Sequence, residues 1–120
     1  MNKELLASAG IDYDEGVRRF MGNALLFEKM LCKFLTDQSF SEARKSLEDC
    51  EWEFFFRNVH TLKGVSGNLS INVIYNTASQ IVSLLRANDL EGAKALFPSL
   101  EEEYGAVSKA IGLAAEADRR

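Results

Sequence analysis

The chain contains very little cysteine, proline or histidine. Its 120 residues include two cysteines, one proline and one histidine. Cys32 and Cys50 lack the Cys-x-x-Cys or Cys/His spacing of a metal site, and a single histidine adds only one further ligand. We therefore expect no metal centre and no cofactor of the chain's own. Both cysteines are interpreted as small, reduced core residues of a cytoplasmic protein.

Long apolar runs and an excess of basic residues are also missing. No stretch approaches the ~20 apolar residues needed to cross a bilayer, and the segment Met1–Leu6 is too polar and too short for a secretory signal. The net charge is −4 and no basic stripe stands out, which disfavours nucleic acid and anionic membranes as partners. The length and the apolar fraction of 47% predict one soluble domain over residues 1–120.

Helical periodicity recurs along the chain, and the alternation typical of strands is absent. Four helix starts carry a capping signal, either a lone asparagine or an acceptor followed three residues later by glutamate. These signals are Asp12/Glu15, Asn23, Ser39/Glu42 and Asn88/Glu91. The first predicted helix runs through Phe20 and is ended by Gly22. A break at residues 49–51 separates the third capped helix from a longer one over about residues 52–68.

The inward faces of these helices follow from their apolar positions. They comprise Leu26, Phe27, Met30, Leu31, Phe34 and Leu35; Phe40, Ala43 and Leu47; Ile71, Ile74, Ala78, Ile81 and Leu85; and Leu90, Ala93, Leu96, Phe97, Leu100, Tyr104, Val107 and Ile111. Pro98 lies inside the last set and predicts a kink rather than an end, because the periodicity resumes beyond it. Residues 112–120 have no partner face and are expected to fray. Short connections predict an all-α, up-and-down antiparallel four-helix bundle with one or more short accessory N-terminal helices.

The helix over residues 52–68 carries the only histidine of the chain. Stepping 100° per residue places His60, Lys63, Gly64 and Gly67 together on one face. The opposite, core-facing side holds Trp52, Phe55, Val59, Leu62, Ser66 and Leu69. A glycine inside a helix costs about 1 kcal/mol relative to alanine, so two glycines near one imidazole indicate a surface kept bare for a large partner.

Residues at the edge of this face are candidates for contact with that partner. Phe56, predicted to be exposed one turn before His60, would give an aromatic rim to a docking patch, and Arg57 would add positive charge. Gly67 belongs to the same docking set. Each also has a simpler interpretation, since single exposed apolar residues and solvated surface arginines are common.

An exposed imidazole can attack an activated phosphoryl group and hold it as a phosphoramidate. Lys63 is placed to offset the charge of the phosphoryl oxygens. The sequence shows no carboxylate cluster for magnesium, no glycine-rich loop for ATP and no nucleophile triad. The chain thus has an acceptor without the means to activate a donor.

The run from His60 to Leu69, His-Thr-Leu-Lys-Gly-Val-Ser-Gly-Asn-Leu, resembles the His-x-x-Lys-Gly signature of histidine-containing phosphotransfer (HPt) domains. The similarity extends over roughly residues 10–111. It implies a helical bundle in which His60 is phosphorylated, Lys63 binds phosphoryl oxygens and Gly64 keeps the ring accessible. Val65 departs from the alanine or serine that is usual in the family. Gln80 is available as the glutamine of some members, but its register is about half a turn off.

The resemblance implies a phosphoryl carrier rather than an enzyme. The expected partners are response-regulator receiver domains and a hybrid sensor histidine kinase, with Mg²⁺ held only by the receiver and with the carrier a free-standing monomer. One alternative is a docking protein of the same fold that is not itself phosphorylated. Another is an enzyme, such as a phosphohistidine phosphatase or a metal-dependent helical hydrolase, which the single histidine disfavours.

Overall fold

Seven helices make up the part of the chain that the computed structural model describes, residues 1–119. They are α1 (Lys3–Ser8), α2 (Tyr13–Arg19), α3 (Ala24–Phe34), α4 (Ser39–Glu48), α5 (Trp52–Asn68), α6 (Asn72–Arg86) and α7 (Leu90–Asp118). Extended pairing in these residues is limited to an isolated bridge between Ile11 and Ile71. The predicted all-α class is confirmed, and the helix predicted over residues 52–68 is α5.

The longer helices pack in chain order, α4 against α5, α5 against α6 and α6 against α7. Each connection between them, residues 49–51, 69–71 and 87–89, is three residues long, and such short connections make successive helices antiparallel neighbours. α1 and α3 pack against α7. Residues 35–38 separate α3 from α4, so the expected count of four bundle helices stays a prediction while the helical-bundle class is confirmed.

Aromatic rings join α4 to α7 in the core. The Phe40 ring stacks on Tyr104 at 4.2 Å between centroids and on Phe97 at 5.6 Å, and Phe55 of α5 meets Phe97 edge-on at 5.7 Å. Such pairs add about 0.5–1.5 kcal/mol each beyond the burial of their area. Phe97 precedes Pro98, through which α7 continues as predicted. This aromatic layer lies behind α5 and holds its buried face in place.

Two of the four predicted capping signals are confirmed. The Asp12 side chain accepts a hydrogen bond from the Glu15 backbone N–H, and the Asn23 side chain accepts one from the Leu26 N–H. Gly22, with a φ of +83°, follows the α2 end as predicted. These caps fix where α2 and α3 begin.

The other two capping signals were assigned to the wrong residue. Ser39 is the first residue of α4, and its N–H donates to the side chain of Asp37. At the start of α7 the cap is Asp89, which accepts from the Gly92 N–H, because Asn88 adopts a left-handed φ of +59°. At α7 the aspartate directly after Asn88 makes the cap. The residue before α4, Gln38, makes no side-chain capping hydrogen bond.

The prediction that residues 112–120 fray is wrong for residues 112–118, which continue α7. Ala114 is fully buried, and α1 packs against α7. The sequence prediction missed this because α1, the covering helix, is distant in the sequence. Arg120 lies outside the described residues.

Some predicted core residues lie elsewhere. Cys50 is exposed, with a φ of +54° in the connection before α5, and Cys32 is only half-buried. The core prediction for Cys50 is therefore wrong. Leu26 and Leu35 are about 40% exposed, because the face of α3 that packs inward is narrower than the periodicity suggested.

Candidate functional site

α5 presents one side to the core and the other to solvent. Phe55, Val59, Leu62 and Ser66 are buried, whereas His60 and Gly64 are exposed. The Ser66 hydroxyl donates to the Leu62 carbonyl at 2.7 Å, so the buried polar group is satisfied. The predicted outward placement of His60 is confirmed.

Gly64 and Gly67 have different surroundings although they lie one turn apart. A β-carbon added at Gly64 would meet no atom within 4 Å, so this position opens to solvent. A β-carbon at Gly67 would lie 2.9 Å from Cδ2 of Tyr75. The expectation that both glycines form a bare platform is wrong for Gly67, where the missing side chain admits the ring of Tyr75 from α6.

His60 lies at a cavity of about 560 Å³ formed by three helices. α5 and α6 supply most of its lining, and α2 supplies one residue. The lining residues are Arg19, His60, Thr61, Lys63, Gly64, Gly67, Asn68, Asn72 and Tyr75. The structure thus brings His60, Lys63, Gly64 and Gly67 together and adds five residues that the sequence analysis did not select.

The lining carries positive charge and no negative charge. Arg19 and Lys63 are its ionic residues, with no aspartate or glutamate among the lining side chains. Lys63 is half-buried, and its Nζ lies 6.0 Å from the centroid of the Tyr75 ring. A cavity with two cations, hydroxyls and side-chain amides is suited to an anion with several oxygens.

The two flanking docking candidates lie beside the cavity rather than in it. Phe56 is half-buried and packs against the core, so its predicted exposure is wrong. Its ring centroid lies 5.9 Å from that of His60, and the guanidinium carbon of Arg86 lies 5.7 Å from the Phe56 ring centroid. Phe56 therefore supports the imidazole from the side.

Arg57 is engaged on its own helix. Its guanidinium pairs with Glu53 at 3.1 Å and lies 5.4 Å from the ring centroid of Phe54. Phe54, at 52% exposure, is the aromatic residue that α5 offers to solvent. The aromatic residue that α5 exposes is therefore Phe54 and not the predicted Phe56, and a docking role for this face stays a prediction.

Gln80 does not line the His60 cavity. It lies on α6 at a separate shallow depression with Ser79, Ser83 and Leu84, two turns of helix beyond Asn72. Leaving Gln80 out of the predicted site agrees with this placement.

Metal-binding and membrane-spanning features are not found in residues 1–119. That range contains no group of three or more histidine, cysteine, aspartate or glutamate side chains able to hold a metal ion. None of its helices combines the length and the apolarity needed to span a bilayer.

Comparison with known proteins identifies the family. A family model described as the Hpt domain matches residues 30–110, which covers α4, α5, α6, most of α7 and the last five residues of α3. No curated protein and no solved structure matches the chain. His60 falls inside the matched segment, while α1 and α2 precede it. With a match over more than half of its length, the chain belongs to the family of Hpt domains, which carry phosphoryl groups on histidine in two-component phosphorelays.

Proposed function

We propose that His60 accepts a phosphoryl group from the aspartyl phosphate of one receiver domain and passes it to the aspartate of another. The observation that carries this proposal is that the chain has a single histidine, which is exposed at the cavity within the Hpt match. A histidine phosphotransfer domain needs an accessible imidazole, and His60 is the residue that can supply it.

The transfer step follows from the chemistry of a neutral imidazole. The lone pair of the unprotonated ring nitrogen attacks phosphorus, the N–P bond forms and the P–O bond to the aspartyl group breaks. The electron pair of the broken bond leaves on the aspartate as a carboxylate. The other ring nitrogen keeps its proton until the positive ring releases it to solvent. The reverse step passes the group to the next receiver.

Lys63 and Gly64 have distinct roles in this proposal. Lys63 places its ammonium in the same cavity as His60 and offsets the charge of the phosphoryl oxygens. Gly64 leaves open the space beside the imidazole that the donor aspartate must enter. Phosphoryl transfer depends on in-line approach, so an obstructed path would slow it strongly.

Activation of the donor belongs to the partner. We expect the receiver domain to bring the Mg²⁺ ion and the acyl phosphate, with a hybrid sensor histidine kinase as the upstream source. A monomeric carrier in the cytoplasm, where it meets both, stays a prediction.

Transfer from a phosphorylated receiver domain tests the proposal. The wild-type chain should acquire acid-labile label, and the variant His60→Gln should acquire none while keeping its helical circular dichroism and its melting temperature. Acid-labile label on the variant would contradict the assignment. An unlabelled wild-type chain that still binds the receiver would instead establish the alternative, a docking protein that is not phosphorylated.

A further inference from the structure

α2 lies outside the segment matched by the Hpt model, yet it reaches the His60 cavity. The backbone N–H of Asp12 donates to the carbonyl of Ser70 at 3.0 Å, which ties the start of α2 to the connection between α5 and α6. Gly16 lies so close to Phe27 that an added β-carbon would come within 2.2 Å of the ring. These contacts fix the direction of α2 and bring Arg19, in its last turn, to the cavity wall.

The guanidinium of Arg19 is only partly engaged. Its Nε lies 3.7 Å from Oε1 of Glu15, one turn back on α2. Within residues 1–119 this pair with Glu15 is the ion pair found for Arg19, and its guanidinium makes no hydrogen bond. Arg19 lines the cavity whereas Glu15 does not, and a planar guanidinium is well suited to bidentate binding of phosphate oxygens.

The charge of phosphohistidine calls for more than one cation. A phosphoryl group of this kind carries about −1.5 to −2 at neutral pH. Lys63 supplies one positive charge, and the cavity lining contains no carboxylate. Arg19, on α2, supplies the second positive charge. Together the two cations match the charge of the group that the cavity would receive.

We propose that Arg19 is a second phosphoryl-binding residue, which with Lys63 holds the phosphoryl group on His60 and stabilises the charge that spreads over its oxygens during transfer. This inference rests on the proposed function of His60. It gives the accessory helix α2 a part in the reaction, since a chain limited to the matched residues 30–110 would lack this arginine.

The experiment uses the full chain and phosphoramidate as a small phosphodonor, so that docking of a protein partner does not enter. Arg18 is the matched control, because it is an exposed arginine on the same helix that does not line the cavity. We expect Arg19→Ala to slow the loading of His60 about three- to tenfold and to raise the pH midpoint of the phosphohistidine ³¹P signal. Arg18→Ala should leave both unchanged, and Arg19→Lys should restore part of the effect.

The outcomes separate the two proposals. The role of Arg19 would be overturned if Arg19→Ala and Arg18→Ala gave equal loading rates and equal ³¹P midpoints. The role of His60 would stand in that case, provided that the wild type is labelled on His60. A wild-type chain that gains no label would overturn both. Circular dichroism of each variant shows whether α2 has stayed folded, and the ³¹P midpoint reports charge at the phosphoryl group, which a purely structural arginine would not move.

Discussion

Gly64 and Gly67 show how one residue type serves two purposes on one helix. Gly64 faces open space, so the variant Gly64→Gln should melt no lower than wild type and gain up to about 1 kcal/mol of stability from better helix propensity. Its new side chain would stand beside His60. We therefore expect transfer from a receiver domain to be strongly slowed, and loading from a small phosphodonor to be slowed less, as measured by label incorporation over time.

Gly67 provides the contrast for this prediction. In Gly67→Ala the new β-carbon would lie 2.9 Å from the Tyr75 ring, so the ring must move and the melting temperature should fall. Normal receiver transfer by Gly64→Gln would show that the receiver does not need the open space. A melting temperature for Gly67→Ala at or above that of wild type would show that the Tyr75 ring moves without cost.

Glu103 gives the stability of the protein a dependence on pH. Desolvation by burial raises the pKa of its carboxyl above the ordinary value of 4.5, and neighbouring Glu102 adds to the rise, while the hydrogen bond from Thr77 opposes it. The Oε2 atom is buried without a partner. The native state therefore favours the protonated form. That contribution to stability is complete below pH 4.5 and is lost as the pH rises through the folded-state pKa.

The variant Glu103→Gln should consequently be more stable than wild type at pH 7 and lose this advantage in acid. Its amide oxygen can still accept from Thr77. Melting temperatures recorded from pH 4 to pH 8 measure the effect, and Glu48→Gln, at an exposed position, is the control with the same charge change. A stability difference that does not vary with pH would contradict the prediction.

Within residues 1–119, four helix ends use the left-handed backbone region without glycine. Met21, Cys50, Ser70 and Asn88 have φ between +54° and +59°. At each end the next residue's N–H donates to a carbonyl five residues back, for example Glu51 to Ser46 at 2.8 Å, as in a Schellman motif. This conformation costs a non-glycine residue about 1 kcal/mol of conformational free energy, and it costs asparagine less.

Cys50→Gly should therefore raise the free energy of unfolding by about 1 kcal/mol, because glycine adopts this conformation without strain. Asn88→Gly is the matched comparison and should gain less. The midpoint of urea unfolding measures both changes, provided that the free energy of unfolding falls with urea concentration at the same slope in each protein. A loss of stability in Cys50→Gly would show that the cysteine side chain contributes contacts that outweigh its strain.

Much of the helix order could be predicted from the sequence, because periodicity and capping depend on neighbours along the chain. α5 and the caps at Asp12 and Asn23 are examples. The error at Asn88 arose because the neighbouring Asp89 makes the cap. The error at Ser39 arose because the helix begins at Ser39 itself, after Gln38. In both cases the predicted start of the helix is off by one residue, and residue propensity alone does not fix a helix boundary that closely.

The residues of the site also divide into those that the local sequence predicts and those that it does not. His60, Lys63 and Gly64 follow from spacing on one helix, so the sequence predicts that they share a face. Arg19 and Tyr75 reach the cavity from other helices, and nothing in the local sequence marks them. The interior of α2 gives the one indirect signal, since Gly16 indicates a close approach to another element.

Packing between α1 and α7 joins the first and the last helix of the molecule. Ala114 is fully buried beyond the point where the sequence suggested fraying. Removing residues 112–120 should therefore lower the free energy of unfolding by at least about 1 kcal/mol, as measured in urea. Leu113→Ser, at a position 45% exposed, serves as the control and should change little. An unchanged midpoint for the truncated chain would show that this end of α7 contributes nothing.

The three-residue connections on either side of α5 bear on the order in which the protein folds. α5 packs mainly on its immediate chain neighbours α4 and α6, and closing such short loops costs little entropy. Contacts between α1 and α7 close a loop of nearly the entire chain, so we expect them to form later. The many contacts between neighbouring helices favour fast folding of the protein. α2, which follows α1, would join with them. The histidine side of the cavity would then be assembled first, and the arginine would complete it last.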